Sequence, residues 1–131
     1  MGNVSPTGKQ FEELKNSADD KPVVMVNLLK FKKTTETGEE GRKAYDRYGR
    51  NTMPILKEIG ARVLYLGSVK QVFIGGEYDY WDQVLLVEYP SRKVFLRMIA
   101  LPDYVQIHKD RELALENSAL LATDPVVNTL R

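Results

Sequence analysis

The sequence predicts an α+β protein of ferredoxin-like β-α-β-β-α-β order with an antiparallel sheet. Three observations predict it. Two segments, Val23–Phe31 and 82–89, are apolar on both parities, as strands covered on both faces are. Two longer segments carry apolar residues at spacings of three and four, the stripe of a helix packed on one side. The elements alternate in the split-βαβ order within 131 residues. A chain of this length buries about two-thirds of its unfolded surface, so one domain spanning 1–131 is expected, with a core over 21–124 and a helical extension over 1–20.

Residues 7–17 read as a short leading helix, because Thr7 and Gln10 have capping-box spacing and Phe11 and Leu14 give a narrow apolar face. Pro22 opens the first strand, Val23–Phe31, whose single polar break is Asn27. The polar stretch 34–40 is a loop with a solvated mix of charges. A long helix follows over Gly41–Ile59, its stripe made by Tyr45, Tyr48, Thr52, Ile55, Leu56 and Ile59, and Gly60 stops it. Pro54 inside this helix removes the bond to the Arg50 carbonyl, which predicts a kink or break over 49–53 and a polar opening one turn beyond Tyr48. An extended segment runs over 62–74 with a bulge or bend at Gly67-Ser68, and Gly75-Gly76 opens a turn. The strand at 82–89 ends at Pro90. Ser91 caps a helix with the stripe Val94, Phe95, Met98 and Ile99. Pro102 starts a further helical segment to about residue 116, and 118–123 forms a last short strand.

Composition bounds the function. Hydrophobic residues make 43% and charged residues 28%, which is globular. Nineteen Lys and Arg against eighteen Asp and Glu leave a net charge of +1, without the basic excess of a nucleic-acid binder. The absence of Cys removes disulfides, thiol nucleophiles, thiolate zinc sites and iron–sulfur clusters, and one His removes multi-histidine metal sites. No metal or other cofactor is expected. Apolar runs stay far below the roughly 20 residues of a membrane span, and Met1 to Pro6 has neither a basic flank nor an apolar stretch like those of a signal peptide. A cytoplasmic protein is the expectation.

Two-sided apolar strands with helices on one face leave the other face bare, and a second copy supplying its own sheet covers it, so a homodimer is expected. On the segment from Pro102, a rotation of about 100° per residue puts Tyr104, Ile107, His108, Arg111, Ala114 and Leu115 on one face. That apolar face must meet the sheet. Arg111 then either pairs with Glu88 or a backbone carbonyl, or holds an anionic ligand; His108 is either a satisfied structural histidine or a proton carrier. Asn27 either bonds a neighbouring carbonyl or orients a ligand, depending on which face it takes. Tyr45 and Tyr48 line the facing helix. The resulting candidates are His108 and Tyr45 for proton transfer, with Asn27, Tyr48, Tyr104 and Arg111 for binding a small oxygenated or anionic molecule. The alternative is a non-catalytic ligand-binding or structural dimer. The aromatic stretch 75–81 is either a lid or a hairpin at the dimer contact.

The set Val23-Val24-Met25-Val26-Asn27-Leu28-Leu29-Lys30-Phe31, Tyr45-x-x-Tyr48, Pro54, Gly60-Ala61, Trp81-Asp82-x-Val84-Leu85-Leu86-Val87-x-Tyr89-Pro90-Ser91, Pro102-x-Tyr104 and Arg111-x-x-Ala114-Leu115-x-x-Ser118 resembles the domain-of-unknown-function thirteen-thirty family of the dimeric α/β-barrel superfamily. The resemblance covers 21–124. It implies a ferredoxin-like protomer whose sheet packs on a partner's sheet as a barrel, and it implies no particular reaction. Superfamily relatives include cofactorless monooxygenases, lactone isomerases, haem-degrading enzymes and chlorite dismutases, which use the space between sheet and helices as the pocket.

Overall fold

The computed structural model describes residues 2–76 and 80–130. Its elements are α1 (Gly8–Asn16), β1 (Val23–Phe31), α2 (Gly41–Ile59), β2 (Arg62–Ser68), β3 (Gln83–Tyr89), α3 (Arg92–Ile99), α4 (Pro102–Ala114) and β4 (Leu115–Thr123). The strands form one antiparallel sheet in the order β2-β3-β1-β4, the ferredoxin-like arrangement. β1 and β3 are central, which explains their apolar character on both parities.

Local chemistry sets the helix ends. Thr7 and Gln10 exchange both bonds of a capping box at α1, and Ser91 accepts from the Val94 amide at α3. Gly60 closes α2 at a left-handed φ of 81°, letting the Ala61 amide reach the Leu56 carbonyl at 2.9 Å. α2 is continuous from Gly41 through Pro54 to Ile59, so of the expected kink or break, the break does not occur. Arg50 and Pro54 are both exposed, so water can satisfy the Arg50 carbonyl, while buried Tyr45, Thr52 and Leu56 hold the helix down on both sides.

Three other boundaries differ from expectation. β2 ends at Ser68 rather than continuing to 74; Val69 makes one more backbone bond, to Asp82, and Val72, Phe73 and Ile74 are exposed. The irregularity in β2 falls between Val63 and Tyr65, not at Gly67-Ser68; it moves Tyr65 opposite Leu86 after Val63 stands opposite Val87. α4 passes into β4 at Leu115, earlier than expected, because the Lys32 amide takes the Ala114 carbonyl at 2.9 Å and Phe31 pairs with Leu115. The loop at 34–40 is tied down as well as solvated. Thr35 is buried, and Arg47 clamps Glu39 (2.7 Å) and Asp110 (2.8 Å) together. That pairing raises the Arg47 pKa and lowers that of Glu39.

The helices cover one face of the sheet. Val23 and Met25 of β1 pack with Leu56, Phe95, Met98 and Tyr104, and Leu29 packs with Ala44, Tyr45, Ala114 and Leu115. The odd positions of β1 therefore face the helices. The opposite face presents Val26, Leu28, Val84, Leu86, Tyr65 and Leu121, of which Tyr65 and Leu121 are each 50% exposed. No helix among the described residues is long and apolar enough to cross a membrane.

Candidate functional site

The helix-side core is divided. A contiguous hydrophobic core is the norm in a domain, but here two clusters meet the helix face of β1, one around Met25 and one around Leu29. Asn27 stands between those two residues on the same face and is 8% exposed. Tyr48 packs against both clusters. A polar layer thus crosses the core at the level of Asn27, where only hydrogen bonds can offset the cost of burial.

Asn27 Nδ2 donates to the Met25 and Leu85 carbonyls at 3.4 and 3.3 Å, both long for such bonds. The Tyr48 and Tyr104 hydroxyls bond each other at 2.8 Å. Tyr45 lies between Phe31 and Tyr48, with ring centroids 5.4 and 5.3 Å away. Burial raises the pKa values of Tyr45 and Tyr104, so both are neutral phenols; the Arg111 guanidinium pulls each the other way by a smaller amount.

α4 supplies the basic groups. The His108 ring lies 5.5 Å from Tyr104 and 6.4 Å from Tyr48. Desolvation first, then the nearby Arg111 charge, lower its pKa. Its Nδ1 stands 3.3 Å from Glu112 Oε1. With Nδ1–H donating to that carboxylate, Nε2 keeps its lone pair for accepting a proton. Arg111 is 6% exposed. Its Nη1 donates to the Val4 carbonyl at 3.3 Å, while Nη2 is buried without a hydrogen-bond partner. The Val4 carbonyl and the Tyr45 hydroxyl, not Glu88, are therefore the protein partners of the Arg111 guanidinium; Glu88 lies on the other face of the sheet, opposite Arg62. Thr52 Oγ1, one turn beyond Tyr48 on α2, is a second buried atom without a partner.

The six residues expected from sequence thus share the space between the sheet and α2 and α4. Tyr45, Tyr48, Tyr104, His108 and Arg111 form one connected group, and Asn27 faces it from β1. Opposite Asn27 on β4, Leu120 is 42% exposed, so this face is open to solvent at the sheet edge. Two open clefts of about 480 and 500 Å³ among the described residues lie elsewhere, one lined by Pro54 and Ile107 of α2 and α4, the other around Lys21, Asp124 and Asn128. Sequence reasoning missed Glu112, Thr52 and Val4. The spacing of four from His108 signals Glu112, and Thr52 stood on the α2 stripe as a core residue; nothing local signals Val4. The lid-or-hairpin reading of 75–81 falls partly on residues 77–79, which lie outside the described residues.

Solved structures of the same fold surround this chain. A protein of unknown function from Rhodopseudomonas palustris is 30% identical, with a TM-score of 0.92 over 98% of this chain and 100% of that one. A hydroxynitrile lyase from Passiflora edulis is 13% identical, with a TM-score of 0.61 over 85% of this chain and 97% of that one. A dimeric protein of unknown function and ferredoxin-like fold from Bacteroides fragilis is 14% identical, with a TM-score of 0.56 over 79% and 95%. The last two show the fold alone. No curated protein matches the chain. Residues 38–124 match the family described as Domain of unknown function (DUF1330), and with two-sided central strands, one-sided helices and that match in hand, the chain belongs to the DUF1330 family.

Proposed function

We propose that this protein is a homodimer that binds a small carbonyl- or carboxylate-bearing molecule between its sheet and helices, and moves a proton at His108. The observation that carries the reading is the Arg111 guanidinium, buried with Nη2 unpartnered beside the neutral Tyr45 phenol that it also hydrogen-bonds. A buried cation with an unused donor favours an anionic or carbonyl oxygen as its partner. Tyr45, Tyr48, Tyr104 and Asn27 then surround the rest of the ligand, and His108, kept neutral by burial and oriented by Glu112, takes a proton at Nε2. The apolar sheet face around Leu86 supports the dimer, in line with the dimeric relative of the same fold.

Benzoate serves as a probe. Titrating it into the full chain while following the His108 and Arg111 side-chain resonances should shift both saturably, and Arg111→Met should abolish the response. No response in the wild type overturns the ligand reading. Light scattering should give twice the chain mass at micromolar concentration, and a monomer mass overturns the dimer.

A second reading, binding without chemistry, is favoured by the Tyr48–Tyr104 and Asn27 bonds, which already satisfy those groups within the protein. Comparing His108→Ala with the wild type separates the two. Retained benzoate affinity is expected of either reading, whereas loss of turnover with an identified substrate is expected of the first alone.

A further inference from the structure

The segment before α1 follows the chain's far end. The Asn3 amide donates to Asn117 Oδ1 at 2.9 Å, and Ser118 Oγ donates to the Asn3 carbonyl at 2.7 Å. Val4 packs on the cluster of Leu29, Ala44, Tyr45, Ala114 and Leu115, and its carbonyl takes Arg111 Nη1. Ser118 stands opposite Leu29, so these contacts lie on the helix-covered face of β4, beside the exposed Leu120. Gly2 sits so close to the chain at Glu116 that a Cβ there would overlap the Glu116 carbonyl oxygen. α1 buries no residue fully and meets the core through the partly buried Leu14, which packs on the other cluster, around Met25.

We propose that residues 2–6 are a wall of the site and the positioning element for Arg111. By occupying Nη1 beside the Tyr45 hydroxyl, the Val4 carbonyl fixes the guanidinium plane and leaves Nη2 for the oxygen of a small anionic ligand. This rests on the ligand reading given above and adds that the strap governs the charged part of recognition. A planar guanidinium has a fixed fork of donors, so holding one nitrogen orients the other. Released from Val4, Arg111 loses that orientation and its charge-assisted bond to the ligand weakens.

The test uses the full chain with Gly2→Val, which lifts the strap by overlap at Glu116, and Ser118→Ala, which removes one clip without any overlap. The probes are benzoate and its neutral counterpart benzamide, with thermal unfolding followed in parallel. We expect Gly2→Val to bind benzoate about tenfold more weakly, the effect of losing roughly one charge-assisted bond. Benzamide affinity should change less than threefold, and Ser118→Ala should shift benzoate in the same direction by a smaller factor. A merely structural strap would weaken both probes equally, and that result overturns the proposal. Benzoate affinity unchanged in both variants also overturns it while leaving the ligand reading intact. No benzoate response in the wild type removes both. If Gly2→Val fails to fold, the benzoate-to-benzamide ratio in Ser118→Ala decides.

Discussion

Replacing Asn27 by leucine tests whether the polar layer is kept at a cost to stability. Leucine has nearly the shape of asparagine, with methyl groups in place of the amide oxygen and nitrogen. The substitution removes two hydrogen bonds of 3.3 and 3.4 Å. At that length they contribute together about 1 kcal/mol net. The carbonyls they reach belong to Met25 and Leu85, in strands paired along both edges, so ladder bonds remain to them. Against this loss, a side chain only 8% exposed gains the burial of leucine, about 1.5–3 kcal/mol. Asn27→Leu should therefore stabilise the protein by about 1 kcal/mol and raise Tm by a few degrees. Urea unfolding with an unchanged m-value measures it. A loss of more than about 1 kcal/mol would refute the reasoning, because it would mean that the amide bonds outweigh leucine's burial and that Asn27 is structural. A gain matches a core position where binding has been favoured over stability.

The tyrosine pair should respond unequally. Tyr48→Phe strands the buried Tyr104 hydroxyl and should cost about 1–3 kcal/mol, whereas Tyr104→Phe leaves the half-buried Tyr48 hydroxyl access to water and should cost about 0.5–1 kcal/mol; equal losses on urea unfolding would contradict the assignment. His108 should titrate below the usual histidine value of about 6.5, because burial and Arg111 oppose its charge. The folded state then holds this proton less tightly than the unfolded chain, so the stability is complete above that value and is lost as pH falls below it. A histidine NMR titration should show the low midpoint, Arg111→Met should raise it, and Glu112→Gln should lower it further. On the open face, Leu86→Arg should leave a folded monomer by light scattering; a dimer of unchanged mass would place the contact elsewhere.

The order of elements was legible because each rests on local chemistry. The bounds of β1 and α2 follow from two-sided apolarity and from a stripe ending in glycine. Periodicity alone also brought His108 and Arg111 to the apolar face of α4, since helical geometry allows few alternatives. Strand parity was different. Asn27 sits in a run apolar on both sides, so no pattern in the sequence distinguishes the helix side from the open side; that choice appears only when Met25 and Leu29 are seen against α2, α3 and α4. The end of α4 at Ala114 has no local signal for a related reason. Helix propensity continues past Ala114, but β1 captures Leu115 and Lys32 takes the last carbonyl, so pairing with a distant strand overrides a local preference. Pro54 shows the converse: the helix runs on past a residue that can end one, with packing on either side of it. The strap at Val4 had no signal at all, because its bond to Arg111 joins residues 107 positions apart. Propensities and periodicities act over a few residues and set which elements form. Which atoms those elements bring together depends on contacts between distant segments, and these exist only once the chain has closed on itself.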